Sequence, residues 1–231
     1  MKRNLLSKVL GDARIKKVVL LTKTPVHEQV YRKLREMILY GELAPGQAVT
    51  IYGLVDELDV GMTPVREAIR RLTAEGALVF QGNRRVCLPD LGPRDLDDIV
   101  FVRRNLEPKL ATQAAQNVTP DIIEKMKVID DKLNASIAQG NVLDYMRYNH
   151  QFHFTLYAEA DSELLYSMVS TLWLRYGPLY RVISGRWGTQ QLAVCHDETI
   201  AALSKGDIQG VGDGILADMD QGFDIVRKLF K

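Results

Sequence analysis

Thr50 to Val86 reads TIYGLVDELDVGMTPVREAIRRLTAEGALVFQGNRRV, and this stretch decides the fold. Ile51, Leu54, Val55 and Leu58 are apolar at i, i+3, i+4 and i+7, one face of a short helix. Thr50 is placed to cap its first turn. Asp59 to Met62 is short and polar and predicts a turn. Thr63-Pro64 then predicts a cap followed by a first-turn proline. Beyond it Val65, Ala68, Ile69 and Leu72 share one helix face, while Thr63, Arg66, Arg70 and Thr73 share another. Two short helices joined by a tight turn, the second with an arginine stripe, describe a helix-turn-helix.

The flanks fit that reading. Ala77 to Phe80 is a short apolar run, and Val86 and Leu88 alternate around Cys87. Between them Gln81-Gly82-Asn83-Arg84-Arg85 predicts a hairpin turn carrying two cations, the wing of a winged domain, able to reach phosphates or a minor groove. A plainer reading of Arg66, Arg70 and Arg71 is a solvated face paired with Glu67 and Glu75; the order helix-turn-helix-wing outweighs it. Upstream, Thr24-Pro25 predicts the start of a helix with Val26, Val30, Leu34 and Ile38 as its stripe, ended by Gly41. Pro45-Gly46 predicts the next turn.

Gly41, Pro45-Gly46, Leu54, Val60, Pro64-Val65-Arg66-Glu67-Ala68, Leu72, Glu75-Gly76 and Asn83-Arg84 together resemble the DNA-binding domain of the GntR family of bacterial transcription regulators. The resemblance implies DNA contacts at Tyr52, Met62, Thr63, Arg66, Arg70, Asn83, Arg84 and Arg85. Three positions depart from the family pattern: Gly61-Met62 stands where Ser-Arg is usual, Tyr52 where a polar or basic residue is usual, and Arg85 where Gly is usual. Of the arginines that the FadR-type branch uses on DNA, only Arg66 is matched.

The chain of 231 residues is long enough for two domains, and 46% apolar residues can bury substantial cores. Its net charge of +1 does not announce a nucleic-acid partner. The distribution says more: residues 1–23 hold seven Lys/Arg against Asp12, a net of +6, whereas residues 24–90 carry eight basic and nine acidic groups. Residues 1–23 could be a disordered arm, a short extra helix or a misassigned start; as a basic arm they are expected to add DNA affinity without sequence specificity. Two cysteines, Cys87 and Cys195, make neither a disulfide framework nor a zinc motif and fit a reduced, cytoplasmic setting. No apolar run reaches membrane length, and the basic start lacks the long apolar core of a signal peptide.

Pro89-Asp90-Leu91-Gly92-Pro93 interrupts regular structure, and the chain beyond it is predicted to be helical throughout. Leu96, Ile99, Val100, Leu106, Leu110 and Ala114 form a stripe from Arg94 to about Ala115, with a kink expected at Pro108. Thr119-Pro120 opens the next helix and Gly140 stops it; Asn141 caps another through about Ala160. A fourth runs from near Ser162 to Gly177-Pro178, a fifth covers residues 189–205, and Asp207 starts the last. The glycines 210, 212 and 214 weaken its first turns. The fold class is thus mainly α: an N-terminal winged helix-turn-helix and a C-terminal antiparallel all-α helical bundle. The expected domains are a winged domain over 24–89, a linker over 90–93 and a bundle over 94–231.

Within the bundle Asn149 and His153 lie one turn apart on one face, with His196 and Asp218 on later helices. Oxygen and imidazole ligands at such positions suit a divalent metal; they also suit ordinary core or surface roles. Arg103-x-x-Leu106-Glu107-Pro108, Asn149-x-x-Phe152-His153, His196 and Gly206-Asp207 resemble the FCD effector-binding domain of the FadR-type branch. That resemblance implies a metal (zinc, nickel or manganese) held by Asn149, His153, His196 and Asp218. It also implies a small carboxylate effector held by Arg103, Asn149, His153 and His196. Asn149 stands where Asp is usual, and Asp218 where a third His is usual. Arg103 could equally be an ion-pair partner of Glu107 at i+4. The whole is expected to be a homodimeric, ligand-responsive repressor on a palindromic double-stranded operator, with no membrane partner. The alternatives are a constitutive DNA-binding protein and, less favoured, a metal-dependent enzyme.

Overall fold

The computed structural model describes residues 24–82, 85–188 and 195–230. The basic arm over 1–23, the wing-tip pair Asn83 and Arg84, and the expected helical turns over 189–194 lie outside the described residues.

The winged half is built on α1 (Val26–Leu39), α2 (Ile51–Leu58) and α3 (Met62–Ala74). Its small sheet has strands β1 (Ala48–Val49), β2 (Val79–Gln81) and β3 (Arg85–Cys87) in the order β1-β3-β2, all antiparallel. Ala48 and Val79 both face Cys87 across the ladder. The two-residue strand β1 is too short to show a periodicity in the sequence. Thr50 caps α2 as predicted, its hydroxyl accepting from the Gly53 N–H. Asp59 then turns the chain in a left-handed conformation, φ 50°.

Two predicted caps move. Helix α3 begins at Met62 with Gly61 as its cap, so Thr63 and Pro64 both sit inside the first turn. A proline is tolerated anywhere there, because those N–H groups have no intrahelical partner. Likewise Pro25, not Thr24, precedes α1 and lends no side-chain cap.

The helical half comprises α4 (Pro93–Ala114), α5 (Pro120–Gln139), α6 (Val142–Tyr157), α7 (Glu163–Trp187), α8 (His196–Lys205) and α9 (Ile208–Arg227), with a 3-10 turn at Lys228–Phe230. Thr119, Asn141 and Asp207 cap α5, α6 and α9 through their side chains, as the sequence predicts. Helix α7 does not stop at Gly177-Pro178. It continues to Trp187, the proline lying inside it. Packing on both sides supports α7 past the hydrogen bond that Pro178 removes. One side meets α1, the other α4, α6 and α9.

The α1–α7 seam is tight. A Cβ on Gly177 would lie 2.8 Å from the Leu39 carbonyl oxygen, so only glycine lets the two backbones approach this closely. Arg35 on α1 donates to the Ser170 hydroxyl on α7, and Arg175 lies beside Gly76, just past α3. The buried apolar residues consequently form one continuous cluster through both halves. The glycines of α9 have the same origin. A Cβ on Gly212 would meet Thr112 of α4 at 2.8 Å, one on Gly214 would meet Thr199 of α8 at 2.6 Å, and one on Gly222 would collide with the Tyr180 hydroxyl of α7. The propensity lost at each, about 1 kcal/mol relative to alanine, accompanies close helix packing.

His150 of α6 is part of the seam. It stacks on Phe154 at 4.2 Å between ring centroids and meets Tyr40 and Trp173 edge-on. Burial, with smaller repulsions from Arg35 and His153, pulls its pKa from 6.5 down to about 3. Below pH 6.5 the unfolded chain takes up a proton here, while the folded chain resists until about pH 3. Stability is therefore lost as pH falls through that window. Melting curves of His150→Phe are expected to show a shallower fall there than the parent; parallel curves would show that His150 does not set the slope.

Candidate functional site

Helix α3 buries Val65, Ala68, Ile69 and Leu72 and turns Met62, Thr63, Arg66 and Arg70 outward. Of the cations, Arg70 pairs with Glu67 at 2.7 Å within its own helix. Arg71 reaches Glu28 of α1 at 2.7 Å and lies 3.6 Å over the Tyr31 ring, so it ties α3 to α1. The solvated, paired reading thus describes Arg70, through Glu67, but not Arg71, which is half-buried and pairs with Glu28 rather than with Glu67 or Glu75. Arg66 is exposed and has no partner among the described residues. Tyr52 of α2 and Arg85 of β3 are also exposed, and both line one concave groove with Arg66 and Arg70.

Inside the helical half, Arg103, Asn149, His153 and His196 are buried and Asp218 nearly so. The ligand atoms of His153, His196 and Asp218 lie within 4.8 Å of one another. His153 Nε2 is 3.2 Å from Asp218 Oδ2, and His196 Nε2 is 3.9 Å from Asp218 Oδ1. Asn149 shares the α6 face one turn before His153, and its Oδ1 is buried without a partner.

Arg103 forms the i+4 ion pair with Glu107 through Nε and Nη2. Trp173 and Tyr176 flank its guanidinium at 4.6 Å, and Phe223 lies at 5.2 Å. Burial alone would lower its pKa, but the Glu107 carboxylate overrides this and holds it raised. Nη1 remains buried with no acceptor. Glu107 also accepts from the Tyr157 hydroxyl at 2.8 Å and the Trp173 indole at 3.1 Å.

The protons can be counted around the cluster. His196 Nδ1 lies 2.6 Å from Asp130 Oδ1 and donates to it, which leaves the Nε2 lone pair facing Asp218 with no donor. Phe152 stacks on the His196 ring at 3.6 Å and fixes its plane. Burial keeps His153 neutral against the pull of Asp218. Burial also pushes the Asp218 carboxyl up, but the hydrogen bonds it accepts from His153 and from the Cys195 N–H outweigh this and hold it below the ordinary carboxylate range. Glu107, Asp130 and Asp218 set three carboxylates against one buried guanidinium. A dication would balance that excess and satisfy His196 Nε2 and Asn149 Oδ1 together. His153 Nδ1 is 3.4 Å from the Tyr157 hydroxyl, which itself donates to Glu107. The imidazole can thus place its proton there and turn the Nε2 lone pair to a cation. The residues present therefore fit a metal ion.

The sequence reading missed Asp130, Tyr157 and Trp173. Asp130 had a signal, an acid on the apolar stripe between Ile129 and Leu133. The aromatics had none, since apolar stripes hide which ring carries a used donor.

These features are those of a two-part transcription regulator. Residues 26–87 match the gntR family of bacterial regulatory proteins, and residues 98–221 match the FCD domain. The chain belongs to the gntR family, in the branch that carries an FCD domain, and is a transcriptional regulator, not an enzyme. Among its relatives, the HTH-type transcriptional regulator McbR of Escherichia coli K12 is 28% identical over 206 residues, spanning 87% of this chain and 93% of that protein. The HTH-type transcriptional repressor RspR of Escherichia coli K12 is 24% identical over 148 residues, 64% of this chain and 65% of its own. The solved structure of E. coli McbR/YncC superposes with a TM-score of 0.85 at 25% identity, covering 90% of this chain and all of that one. A GntR regulator from Rhodococcus sp. RHA1 shares the fold at TM-score 0.68 and 17% identity, covering 89% and 99%. No helix among the described residues is long and apolar enough to cross a membrane.

Tyr157→Phe removes one hydroxyl with almost no change of volume. It should cost about 1–3 kcal/mol in urea denaturation, because Glu107 loses a donor that water cannot replace. An unchanged midpoint would show that the carboxylate has a substitute.

Proposed function

We propose that this regulator is a repressor that binds a palindromic operator as a homodimer and responds to a small carboxylate. The ligand would be held in the helical half by a divalent metal and Arg103. The observation that carries the reading is the unpartnered Arg103 Nη1, rigidly framed by Glu107 and three aromatic rings in the same interior as the His-His-Asp cluster. A guanidinium edge with no acceptor suits an anion. His153, His196 and Asp218, with the Asn149 amide oxygen, would hold zinc, nickel or manganese, which supplies a Lewis-acidic point for the carboxylate. Having two imidazoles and a neutral amide, this donor set favours harder ions than one with three imidazoles.

Coupling to DNA would run through α7. It carries Trp173 and Tyr176 against Arg103 and, on the adjoining face within a turn or two, Ser170 and Gly177 against α1. A ligand that shifts α7 by a fraction of an ångström would move the winged half, because the seam has no slack. Repression follows the relative RspR, which is named a repressor. A dimer seam is suggested by exposed Phe101 of α4, near the Arg104–Asp220 and Arg227–Asp97 ion pairs. A constitutive regulator is the second reading, favoured by the Arg103–Glu107 and His153–Asp218 pairs, which partly satisfy the interior without a ligand.

Elemental analysis of chain purified without chelator should find close to one divalent ion per chain, lost in His153→Ala with His196→Ala. A panel of small carboxylates should then raise the melting temperature in a metal-dependent way. A ligand at a hundred times its Kd adds about 2.7 kcal/mol. The same ligand should change operator affinity, and Arg103→Lys should weaken its effect while keeping the metal. No metal after loading with zinc, nickel or manganese removes the metal; no ligand that alters operator affinity leaves the constitutive reading.

On the DNA side, Arg66→Ala should lose about 1–3 kcal/mol of specific binding with folding unchanged. Equal operator affinity in the same salt would remove Arg66 from the contact.

A further inference from the structure

The DNA-facing surface of the winged half is unusually apolar. Tyr52 is 73% exposed, Met62 41% and Phe80 64%. Single exposed apolar side chains are ordinary, but Tyr52 and Phe80 line one groove. The groove between α3 and the wing encloses about 490 Å³ and is walled by Tyr52, Ile69, Phe80 and Val86, with Arg66, Arg70 and Arg85 at it. Met62 precedes Arg66 by one helical turn and so continues the same stripe toward the N-terminus of α3. Apolar surface ringed by cations fits a partner that is anionic overall and carries apolar groups on its edge. In duplex DNA the major groove offers one such group, the 5-methyl of thymine.

The N-terminal residues of a recognition helix are those that meet base edges. Here they are Met62 and Thr63, neither of which can make the bidentate hydrogen bonds that single out guanine or adenine. A thioether and a threonine methyl can pack on thymine methyls. Tyr52 adds a ring from α2, met farther along α3 in the groove with Arg66 and Arg70. Arg70 is already held by Glu67, which leaves Arg66 as the unpaired donor of α3 for a guanine.

Resting on the operator reading above, we propose that this protein recognises its DNA chiefly by apolar contact of Met62 and Tyr52 with thymine methyl groups. Arg66 supplies the bidentate hydrogen-bonded contact from α3. Met62 and Tyr52 are then specificity-determining residues, and the half-site is rich in thymine where they lie.

The test begins with selection of binding sequences from random duplexes by the full chain. Each thymine of the selected site is then replaced in turn by deoxyuridine, which removes only the 5-methyl. At the contacted thymines the affinity should fall about fourfold per methyl. In Met62→Ala and Tyr52→Ala the penalty at the corresponding thymine should vanish, while the remaining positions keep theirs. Both side chains are exposed, so the melting temperature should stay unchanged; Met62→Leu should keep the uracil penalty. Uracil tolerated at every position beside a strongly preferred sequence overturns the proposal and leaves the operator reading intact. So do penalties that persist undiminished in both alanine variants. Selection that returns no preferred sequence overturns the operator reading together with it.

Discussion

A carboxylate that water does not reach orders the interior of the helical half. Glu107 has no exposed surface, and its donors come from three helices: Arg103 beside it on α4, Tyr157 on α6 and Trp173 on α7. An unpaired charge at such a place costs several kcal/mol. The ion pair itself lies within α4, but drift of α6 or α7 takes a donor from a carboxylate that water does not reach, so the three helices are held to one relative position. The aromatic rings around Arg103 add to that rigidity, since they leave the guanidinium one plane to occupy. The same restraint sets the His153 ring through Tyr157, so the imidazole cluster and the ion pair are parts of one network.

Helix α7 carries this order outward. Trp173 touches Arg103, Glu107 and His150, and His150 meets Tyr40 just past the end of α1. The path from the buried charge to the winged half is thus a few side chains long. Whether two discrete arrangements of this seam exist is what ligand titration measures, because contiguity alone is not coupling.

Much of this was legible in the chain. The helix-turn-helix announced itself through periodicity, turn and wing order, and most caps through Thr, Asn or Asp one residue before an apolar stripe. The misread boundaries have two causes. At Thr24 and Thr63 the first-turn tolerance of proline let the helix start shift by a residue or two, and at Gly177-Pro178 a local signal was silent about what packs against it. Proline in α7 is overruled by two packed surfaces, and the glycines of α9 have meaning only beside Thr112, Thr199 and Tyr180. In the interior, His153, His196 and Asp218 were marked by residue type and by resemblance, and the fold brings their ligand atoms together. Asp130 and Tyr157 act on those imidazoles from other turns and helices. No spacing in one dimension encodes that proximity.

The contact between Gly177 and the Leu39 carbonyl involves a glycine on one side and backbone on the other. It is consequently blind to nearly every side-chain change in either half. Sequence can drift over the reading face and over the effector interior while this joint keeps its shape. The two halves could be exchanged as parts only where the rest of the seam travels with this contact: Arg35 with Ser170, Arg175 with Gly76, and Tyr40 with His150 and Trp173. A joint with main chain at its centre leaves only those few side chains to be kept when a new signal is paired with a new target.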